Sequence, residues 1–422
     1  MLTEQEAAVL AAVDEESAVR TLLELIAIPS VTGSAAESEL QHHLAGRLER
    51  LGMDVDLWSM DLPALLDDPA FPGMEVPREE AWGLVGVTEG GGDDGPALIL
   101  QGHVDVVPPG DPAAWEGDPF RPRVTGDLVH GRGACDMKAG LAAQLAALAA
   151  IRAAGVRLRG RVAMHCVVGE EDGGIGAFGT LRRGHGGDAC VIAEPTAGTV
   201  ITANAGALTF RLTVPGKAAH ASSREAGVSA IDAYLPLHAA LARLEAERNR
   251  DPDPLLAEYP IPYALSVGTL RSGDWASSVP DLLVAEGRLG VRLGEDPARA
   301  REALERCVAE VCAGDAWLRE HPVAVSWPGG QFASGRLAAG HPLRDTVADA
   351  YADATGAARP RERGATYGSD LRHYTGAGIP TLQFGPGDIA VAHSAGEHVS
   401  LREVGDVARA LALTALRTAG VR

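Results

Sequence analysis

Histidine and carboxylate side chains recur in this chain directly after short apolar runs. The positions are His103 and Asp105 after residues 97–101, Glu170 and Glu171 after 161–168, and Glu194 after 189–193. Apolar runs of this length are typical of strands buried on both faces of a parallel sheet. The carboxyl ends of such strands meet at one edge, where open α/β sheets bind their ligands. We therefore expect these side chains to lie together, in a set that suits metal binding and acid–base chemistry.

Each motif on its own has a plainer interpretation. The spacing of His103 and Asp105 lets the carboxylate orient the imidazole, but it also suits an ordinary turn histidine with a satisfied partner. The adjacent Glu170 and Glu171 repel each other unless one holds a cation and the other works with water, and otherwise they suit a solvated loop. Asp136 and His393 join these residues and Glu194 in one pattern. The joint pattern favours a metal site over the plainer interpretations.

Apolar periodicity predicts the elements that carry these residues. A helix at 137–154 lies between the first two buried runs, and this alternation indicates an α/β layer with a parallel sheet. Earlier predicted elements are helices at 16–25 and 37–51 and strands at 53–58 and 82–87. The Pro- and Asp-rich stretch 61–80 is predicted to be a loop or a partly helical excursion that shapes the pocket entrance.

The pattern changes after about residue 204, which indicates an inserted α+β domain. Its predicted elements are a strand at 208–214, a helix at 228–248, strands at 264–271 and 282–292, a helix at 297–313 and a strand at 322–327. The chain then returns to a helix at 342–355, a strand at 381–384 and a helix from about 402. We therefore divide the chain at 1–203, 204–328 and 329–422, with the first and last segments forming one domain.

Composition limits the classes of partner. The chain has 422 residues, of which 46% are hydrophobic and 22% charged, and its formal charge is −20. Such a charge repels phosphate backbones and anionic lipids, so we expect a small-molecule substrate, without nucleic acid or membrane partners. The sequence shows neither a run of about 18 uncharged apolar residues nor a signal-like N-terminus, which predicts a cytoplasmic protein. Five cysteines without a CxxC pair are expected to be reduced thiols.

Several motifs in a fixed order resemble a known family. They are GHVDVVPPG, GRGACDMKAGLAA, VVGEEDGG, AEPT, GKAAHAS, GSDLRHY, and FGPG with AHSAGEHVSL. From about residue 20 to 415 the chain resembles the zinc peptidase and deacylase superfamily of acetylornithine deacetylase, succinyl-diaminopimelate desuccinylase, aminoacylase and glutamate carboxypeptidase. The resemblance implies a zinc-binding α/β domain with a mostly parallel sheet, interrupted by an α+β (ferredoxin-like) lid domain that usually pairs two subunits. A homodimer through the inserted domain is therefore expected.

The resemblance also implies the metal ligands. Asp136 would bridge two metal ions, with His103 and Glu194 completing one site and Glu171 and His393 the other. Two zinc ions per chain are expected, although such oxygen-rich ligand sets also accept cobalt or manganese.

Three further roles follow from the same resemblance. Glu170 would be the general base that takes a proton from the metal-bridging water and returns it to the leaving amine. Asp105 would hold His103. In the inserted domain, His220 matches the family histidine that reaches the substrate carbonyl.

Substrate recognition is the part of the site that the sequence leaves most open. Arg372 and Arg292 are candidates for binding a substrate carboxylate, since arginine offers a bidentate fork, but either could instead form a surface salt bridge. The chain departs from the family at Ser278, where asparagine is frequent, and at Gly290, where aspartate is usual. The oxyanion and substrate contacts of the family are therefore not carried over to this chain at these two positions.

Two neighbouring residues are alternative ligands. Cys135 adjoins Asp136, but adjacent side chains diverge and the family has a small spacer there, so a thiolate ligand is disfavoured. His398 follows His393 by five positions, and the family pattern selects the first histidine of AHSAGEH.

The leading hypothesis is a two-zinc amidohydrolase that removes the acyl group from an N-acyl amino acid or a related small N-acyl amine. The nearer alternative is a metallo-dipeptidase or carboxypeptidase that uses the same metal ions. A non-catalytic, metal-dependent binding protein is the alternative from another class. Glu170 and His220 count against it, because such a protein needs neither a base nor an oxyanion group.

Overall fold

The computed structural model describes residues 2–89 and 98–422. Its helices, in chain order, are α1 (Glu4–Ala11), α2 (Glu15–Ala27), α3 (Ala35–Arg50), α4 (Leu62–Leu66), α5 (Ala139–Ala153), α6 (Ile175–Arg182), α7 (Ala230–Arg248), α8 (Pro297–Gly314), α9 (Ala316–Glu320), α10 (Pro342–Thr355), α11 (Leu371–Gly376) and α12 (Leu401–Ala419). Short 3₁₀ turns lie at Pro112–Ala114, Ala221–Ala226, Pro254–Leu256 and Ile389–Val391, and an irregular helical turn lies at Ala134–Lys138.

The strands, in chain order, are β1 (Asp54–Ser59), β2 (Trp82–Val87), β3 (Leu98–His103), β4 (Arg123–Thr125), β5 (Leu128–His130), β6 (Val162–Val167), β7 (Ala189–Pro195), β8 (Val200–Asn204), β9 (Gly206–Pro215), β10 (Ala219–His220), β11 (Leu265–Ser272), β12 (Ser278–Val279), β13 (Leu282–Val291), β14 (Ala324–Ser326), β15 (Gln331–Phe332), β16 (Gly335–Arg336), β17 (Glu362–Ala365), β18 (Thr381–Gly385) and β19 (His398–Ser400).

The described chain forms two compact units. The first runs to Ala203 and resumes at Arg336–Arg363 and Asp370–Arg422, and the second contains Asn204–Gly335 and Gly364–Ser369. The second unit is therefore an insertion, which takes a short additional segment from the later part of the chain.

A large sheet organises the first unit. Its strands lie in the order β1, β2, β6, β3, β7, β18, β8 and β16, with β17 paired to β8. The central strands β6, β3, β7 and β18 run parallel. Every residue of β3 and β7 is buried, as expected for strands covered on both faces. The predicted fold class, an α/β protein with a mainly parallel central sheet, is confirmed.

Helix α5 lies in the core of this unit. A Cβ atom at Gly140 would lie 2.1 Å from the carbonyl oxygen of Ala193, so only glycine lets the helix approach β7 this closely. The stretch Ala134–Ala153 is long and apolar enough to cross a membrane by length and composition, but 94% of it is buried inside the protein, as in a core helix. The cytoplasmic location inferred from the sequence stays a prediction.

The second unit has its own antiparallel sheet, with the strand order β11, β13, β9, β14 and with β15 paired to β9. The chain order β9, α7, β11, β13, α8, β14 gives the βαββαβ arrangement of ferredoxin-like folds. Buried and more exposed residues alternate along β9, and its buried residues share one hydrophobic cluster with α7 and α8. This unit therefore has a core of its own.

The predicted elements end within two residues of the observed ones. The stretch 61–80 contains α4, so the partly helical excursion is confirmed. Of the strand predicted at 97–101, Ala97 lies outside the described residues, and the rest belongs to β3. All five cysteines lie in the described part of the chain and are free thiols, as predicted.

Candidate metal centre

The parallel strands bring the predicted ligands to one edge of the sheet. His103 is the last residue of β3, Glu170 and Glu171 follow the end of β6, and Glu194 lies near the end of β7. Since β6 and β7 are the parallel neighbours of β3, the carboxyl ends of the three strands lie side by side at the same edge of the sheet.

Two residues reach the same edge from irregular backbone. Asp136 lies in the turn Ala134–Lys138, and the peptide bond that follows it is cis. His393 has a φ of +59°, in the left-handed region that non-glycine residues rarely adopt. A left-handed conformation at a residue such as His393 persists where the surroundings fix it, and such residues cluster at functional sites.

The Asp136 carboxylate lies between two histidines. Its Oδ1 is 3.0 Å from Nε2 of His103, and its Oδ2 is 3.5 Å from Nε2 of His393. His103 Nε2 also lies 3.7 Å from Glu194 Oε1, and His393 Nε2 lies 3.2 Å from the Glu171 carboxylate. The structure thus places Glu194 on the His103 side of Asp136 and Glu171 on the His393 side.

The ligand atoms are close enough to hold metal ions. Atoms of His103, Asp136 and Glu171 lie within 4.8 Å of one another, and so do atoms of His103, Glu170 and Glu194. Imidazole and carboxylate donors of this kind suit zinc and its first-row neighbours.

The carboxylates of the cluster crowd one another. Burial, reinforced by the charges of Asp370 and Glu194, raises the pKa of Glu170 well above its ordinary value. Burial, and then the charge of Asp136, raise the pKa values of Glu171 and Glu194. Buried carboxylates at this density require a neutralising cation or proton.

The histidines show the complementary effect. Hydrogen bonds with Asp136 and Glu171 raise the pKa of His393 to about 10. Burial opposes protonation of His103, but the Glu194 charge and the hydrogen bond with Asp136 outweigh it and raise its pKa. Protons on the imidazoles and divalent cations are alternative ways to balance the buried carboxylates, because a ligating histidine is neutral. The donor set therefore fits metal ions.

Asp105 acts in a way that the sequence did not indicate. His103 Nδ1 lies 2.9 Å from the backbone carbonyl oxygen of Asp105 and 3.6 Å from its carboxylate. The carboxylate accepts hydrogen bonds from the backbone amides of Glu170 and Glu171, at 3.1 and 3.2 Å, and from the hydroxyl of Thr32 at 3.0 Å. Asp105 thus orients the imidazole through its main chain and the Glu170–Glu171 loop through its side chain.

Two further buried carboxylates support the site and were missed. The backbone amide of Asp370 donates to Oε1 of Glu170 at 3.1 Å, while the Asp370 side chain accepts from Gln101. Asp370 lies in the GSDLRHY motif, in which only Arg372 was predicted to be a site residue.

Glu397 holds the turn that carries Asp136. Its Oε1 accepts from the backbone amides of Cys135 and Asp136, at 2.9 and 3.1 Å, and its Oε2 accepts from Arg132 at 2.5 Å. Glu397 belongs to the AHSAGEHVSL motif, so its position beside the predicted His393 was the available signal.

The alternative ligands have other partners. The Cys135 thiol donates to the carbonyl oxygen of Asp388, and burial raises its pKa, which disfavours a thiolate. His398 lies in β19, where Nδ1 faces the carbonyl oxygen of Gly396. The cluster around Asp136 therefore contains His393 and neither of these residues.

The arginine candidates donate to backbone carbonyls. The buried Arg372 donates to Gly173 at 2.6 Å, in the loop that follows Glu171. Arg292, in the second unit, donates to the carbonyls of Glu247 and Arg248 at the end of α7. Their predicted role in binding a substrate carboxylate stays a prediction.

The departures in the second unit have a local context. A Cβ atom at Gly290 would lie 2.8 Å from backbone atoms of Tyr263, so the aspartate usual in the family does not fit here. Ser278 pairs with His220 across β10 and β12, and His220 is exposed, with Nδ1 2.7 Å from the hydroxyl of Ser222.

The sequence is similar to known proteins over most of its length. The model of peptidase family M20/M25/M40 matches residues 99–417. Succinyl-diaminopimelate desuccinylase of Leptothrix cholodnii is 31% identical over 396 residues, which cover 90% of this chain and 94% of that protein. N-formyl-4-amino-5-aminomethyl-2-methylpyrimidine deformylase of Halalkalibacterium halodurans is 28% identical over 421 residues, covering 93% of this chain and 92% of that protein.

A solved structure shares the fold. The crystal structure of a tripeptidase from Staphylococcus aureus matches with a TM-score of 0.74 at 23% identity, over 96% of this chain and 99% of that one. At this identity the likeness concerns the fold alone. Together with the match of the family model, the motifs and the ligand cluster lead to one conclusion: the chain belongs to peptidase family M20/M25/M40 and is a metal-dependent amide hydrolase.

Proposed function

We propose that this protein binds two zinc ions per chain and hydrolyses the amide of an N-acyl amino acid or a related small N-acyl amine. The observation that carries the proposal is the position of Asp136, whose two carboxylate oxygens face His103 and His393 separately. Asp136 would therefore contribute to both cation sites, which Glu194 would complete together with His103 and Glu171 together with His393. Cobalt or manganese are the alternatives for the same donors.

Two bound metal ions would supply electrostatic stabilisation of the oxyanion and lower the pKa of the attacking water. Glu170 is proposed as the base. Its Oε1 is held by the backbone amide of Asp370, which leaves Oε2 to take the proton from water and deliver it to the leaving amine.

The substrate class follows from what the relatives share. The desuccinylase and the deformylase named above both remove an acyl group from an amine, although their acyl groups and amines differ. We therefore propose an N-acylated small molecule as substrate, with N-formyl and N-succinyl compounds as the first to test. His220 is proposed to contact the substrate carbonyl.

A homodimer through the second unit is also proposed. β11 is an edge strand of that unit's sheet, and edge strands offer unpaired backbone groups for pairing with another chain. Large apolar side chains of the same unit are exposed, namely Ile231, Leu235, Leu270 and Trp275. Light scattering of the purified protein measures this directly, and a monomer at all concentrations would contradict the proposal.

The deciding experiment combines metal analysis with a substrate screen. Metal content is measured on the purified protein, and N-formyl, N-acetyl and N-succinyl amines are assayed beside dipeptides, before and after chelation and zinc restoration. Two metal ions and chelator-sensitive deacylation support the proposal. Turnover of dipeptides alone would favour the peptidase alternative, and tight ligand binding without turnover would favour a binding protein.

The base is tested with Glu170→Gln. It should keep both metal ions and lower kcat by roughly 10²–10⁴-fold, the usual contribution of a general base. Glu310→Gln, on the exposed surface of α8, is the matched control and should leave kcat unchanged. Full activity of Glu170→Gln with both metal ions bound would contradict the mechanism.

A further inference from the structure

A buried arginine from the stretch 61–80 lies behind the loop that carries Glu170 and Glu171. The side chain of Arg78 is 1% exposed and contacts two carboxylates, Glu37 at 2.5 Å and Asp172 at 3.2 Å. Glu37 belongs to the first turn of α3, and Asp172 directly follows Glu171. Arg78 therefore joins three segments that are distant in sequence.

The two carboxylates also hold backbone groups. Glu37 accepts from the amide of Gly169 at 3.1 Å and from that of Gly33 at 2.7 Å. Asp172 accepts from the amide of Val76 at 3.2 Å. Glu37 thus holds the loop at Gly169, directly before Glu170. Arg78 holds it at Asp172, directly after Glu171.

The packing leaves little room for the loop to move. A Cβ atom at Gly169 would lie 2.6 Å from a guanidinium nitrogen of Arg78, and one at Gly173 would lie 2.2 Å from the carbonyl oxygen of Gly73. Gly169 also has a φ of +64°, a conformation that favours glycine. The stretch 61–80 therefore packs directly against both ends of the loop.

The chemistry of the cluster requires arginine. Two buried carboxylates need a cation that can donate hydrogen bonds to both of them. The planar guanidinium presents donors in several directions, whereas an ammonium group acts as a point charge. Glu37, Asp172 and the nearby Asp105 all favour the charged form of Arg78 and raise its pKa against the effect of burial.

We propose that Arg78 is a positioning residue of the hydrolase: by bridging Glu37 and Asp172, it fixes the loop that presents Glu170 and Glu171 to the metal ions. This inference rests on the proposed function of that loop. It gives the stretch 61–80 a role at this loop, while the shaping of the pocket entrance by the same stretch stays a prediction.

The test compares Arg78→Met and Arg78→Lys with the wild-type protein. Displacement of the loop should raise the dissociation constant for Co²⁺, titrated into the chelated protein and followed by its visible absorption, by about 10-fold, as for other residues that orient ligands. In the metal-saturated enzyme, kcat should fall by about 10-fold or more while KM changes less than threefold, because Glu170 moves and the substrate contacts do not.

The matched control is Arg182→Met. Arg182 also binds the stretch 61–80, through Asp68 at 2.9 Å, but this ion pair is solvent-exposed and involves none of the loop residues. Its variant should keep the cobalt affinity and kcat of the wild type. Should Arg78→Met fail to fold, Arg78→Lys carries the test, since it keeps a buried positive charge.

The outcomes separate this inference from the proposed function. Arg78 variants that lose thermal stability but keep the cobalt affinity and kcat would show a merely structural residue and overturn the inference. If Glu170→Gln retained activity, the proposed mechanism would fail, yet the cobalt titration would still report whether Arg78 positions the Glu171 side of the metal site.

Discussion

The Oδ1 atom of Asp105 accepts a hydrogen bond from the backbone amide of Glu170 at 3.1 Å. The carboxylate is fully buried, and its other oxygen accepts a hydrogen bond from the backbone amide of Glu171 at 3.2 Å. One side chain at the end of β3 therefore fixes the loop at the end of β6. Because the main chain of Asp105 also contacts His103, the predicted ligand His103 and the proposed base Glu170 are positioned by the same residue.

Asp105→Asn should weaken metal binding. Asparagine has one acceptor oxygen, so one of the two loop amides would lose its acceptor and face an NH₂ group instead. We expect the free energy of unfolding to fall by about 1–3 kcal/mol and the metal affinity by about 10–100-fold. Thermal denaturation and cobalt titration measure the two effects.

The control for this variant is Thr32→Val, which removes a hydroxyl that donates to the same carboxylate at 3.0 Å and to the carbonyl oxygen of Val106 at 3.3 Å, and leaves both loop amides their acceptors. It should cost about 1 kcal/mol and change the metal affinity less than threefold. An Asp105→Asn protein that bound metal like the wild type would show that the loop does not depend on these two hydrogen bonds.

Glu397→Gln should destabilise the turn that presents Asp136. In either orientation of the amide, Arg132 or the backbone amides of Cys135 and Asp136 lose their acceptor. Breaking a buried ion pair from one side costs about 3–5 kcal/mol, because the remaining charge is left uncompensated. Urea denaturation of the chelated protein measures the loss.

The double variant Arg132→Met with Glu397→Gln supplies the comparison. It removes the stranded cation while the glutamine oxygen can still accept from the two amides, so part of the lost stability should return. Equal stability of the single and double variants would show that the loss does not come from the unpaired Arg132.

The site was predictable where it follows from strand order. His103, Glu170 and Glu194 each stand at or just beyond the end of a buried parallel strand, so their meeting is a consequence of the fold. Asp136 lies in an irregular turn, and His393 has a left-handed backbone conformation. The periodicity of the sequence does not predict backbone of either type. In the sequence they belonged to the joint pattern of histidines and carboxylates, and the family resemblance implied their roles as ligands.

The residues that support the site were harder to foresee. Arg78 lies in a stretch whose proline and acidic content indicates a surface loop, and its partner Asp172 is 94 residues away. Burial of this arginine depends on two carboxylates supplied by tertiary structure. Likewise α6 was not predicted, because Gly176 and Gly179 lower its helix propensity; a Cβ atom at Gly176 would lie 2.3 Å from the carbonyl oxygen of Val168, so packing decides its conformation.

Metal removal should lower stability without unfolding the second unit, whose core is separate from the ligand cluster. A ligand present at 100 times its dissociation constant adds about 2.7 kcal/mol to the free energy of unfolding. Zn²⁺ added to the chelated protein should therefore raise the temperature at which the first unit unfolds, measured by calorimetry. Mg²⁺ at the same concentration should not, because imidazole donors suit zinc. Equal effects of the two ions would contradict a histidine-containing site.

The buried His165 makes the first unit sensitive to acid. Its imidazole is fully buried, with Nδ1 3.0 Å from the hydroxyl of Tyr374, and burial lowers its pKa to about 3. The histidine of the unfolded chain has a pKa of about 6.5, so between about pH 6.5 and 3 the unfolded state holds one more proton than the folded state. Stability is complete above this window and falls as the pH drops through it, by about 1.4 kcal/mol per pH unit.

His165→Gln removes the group that binds this extra proton in the unfolded state. The free energy of unfolding of the chelated variant should therefore fall less steeply between pH 6 and 4 than that of the chelated wild type, whatever its value at pH 7. Tyr374→Phe is the control: it removes the hydroxyl partner but keeps the buried imidazole, and should retain the steep dependence. The measurement is urea denaturation at each pH, with the slope of the unfolding free energy against pH as the readout. Parallel slopes for the wild type and His165→Gln would mean that protonation of other groups dominates the acid response, because a buried neutral imidazole must contribute one proton to that difference.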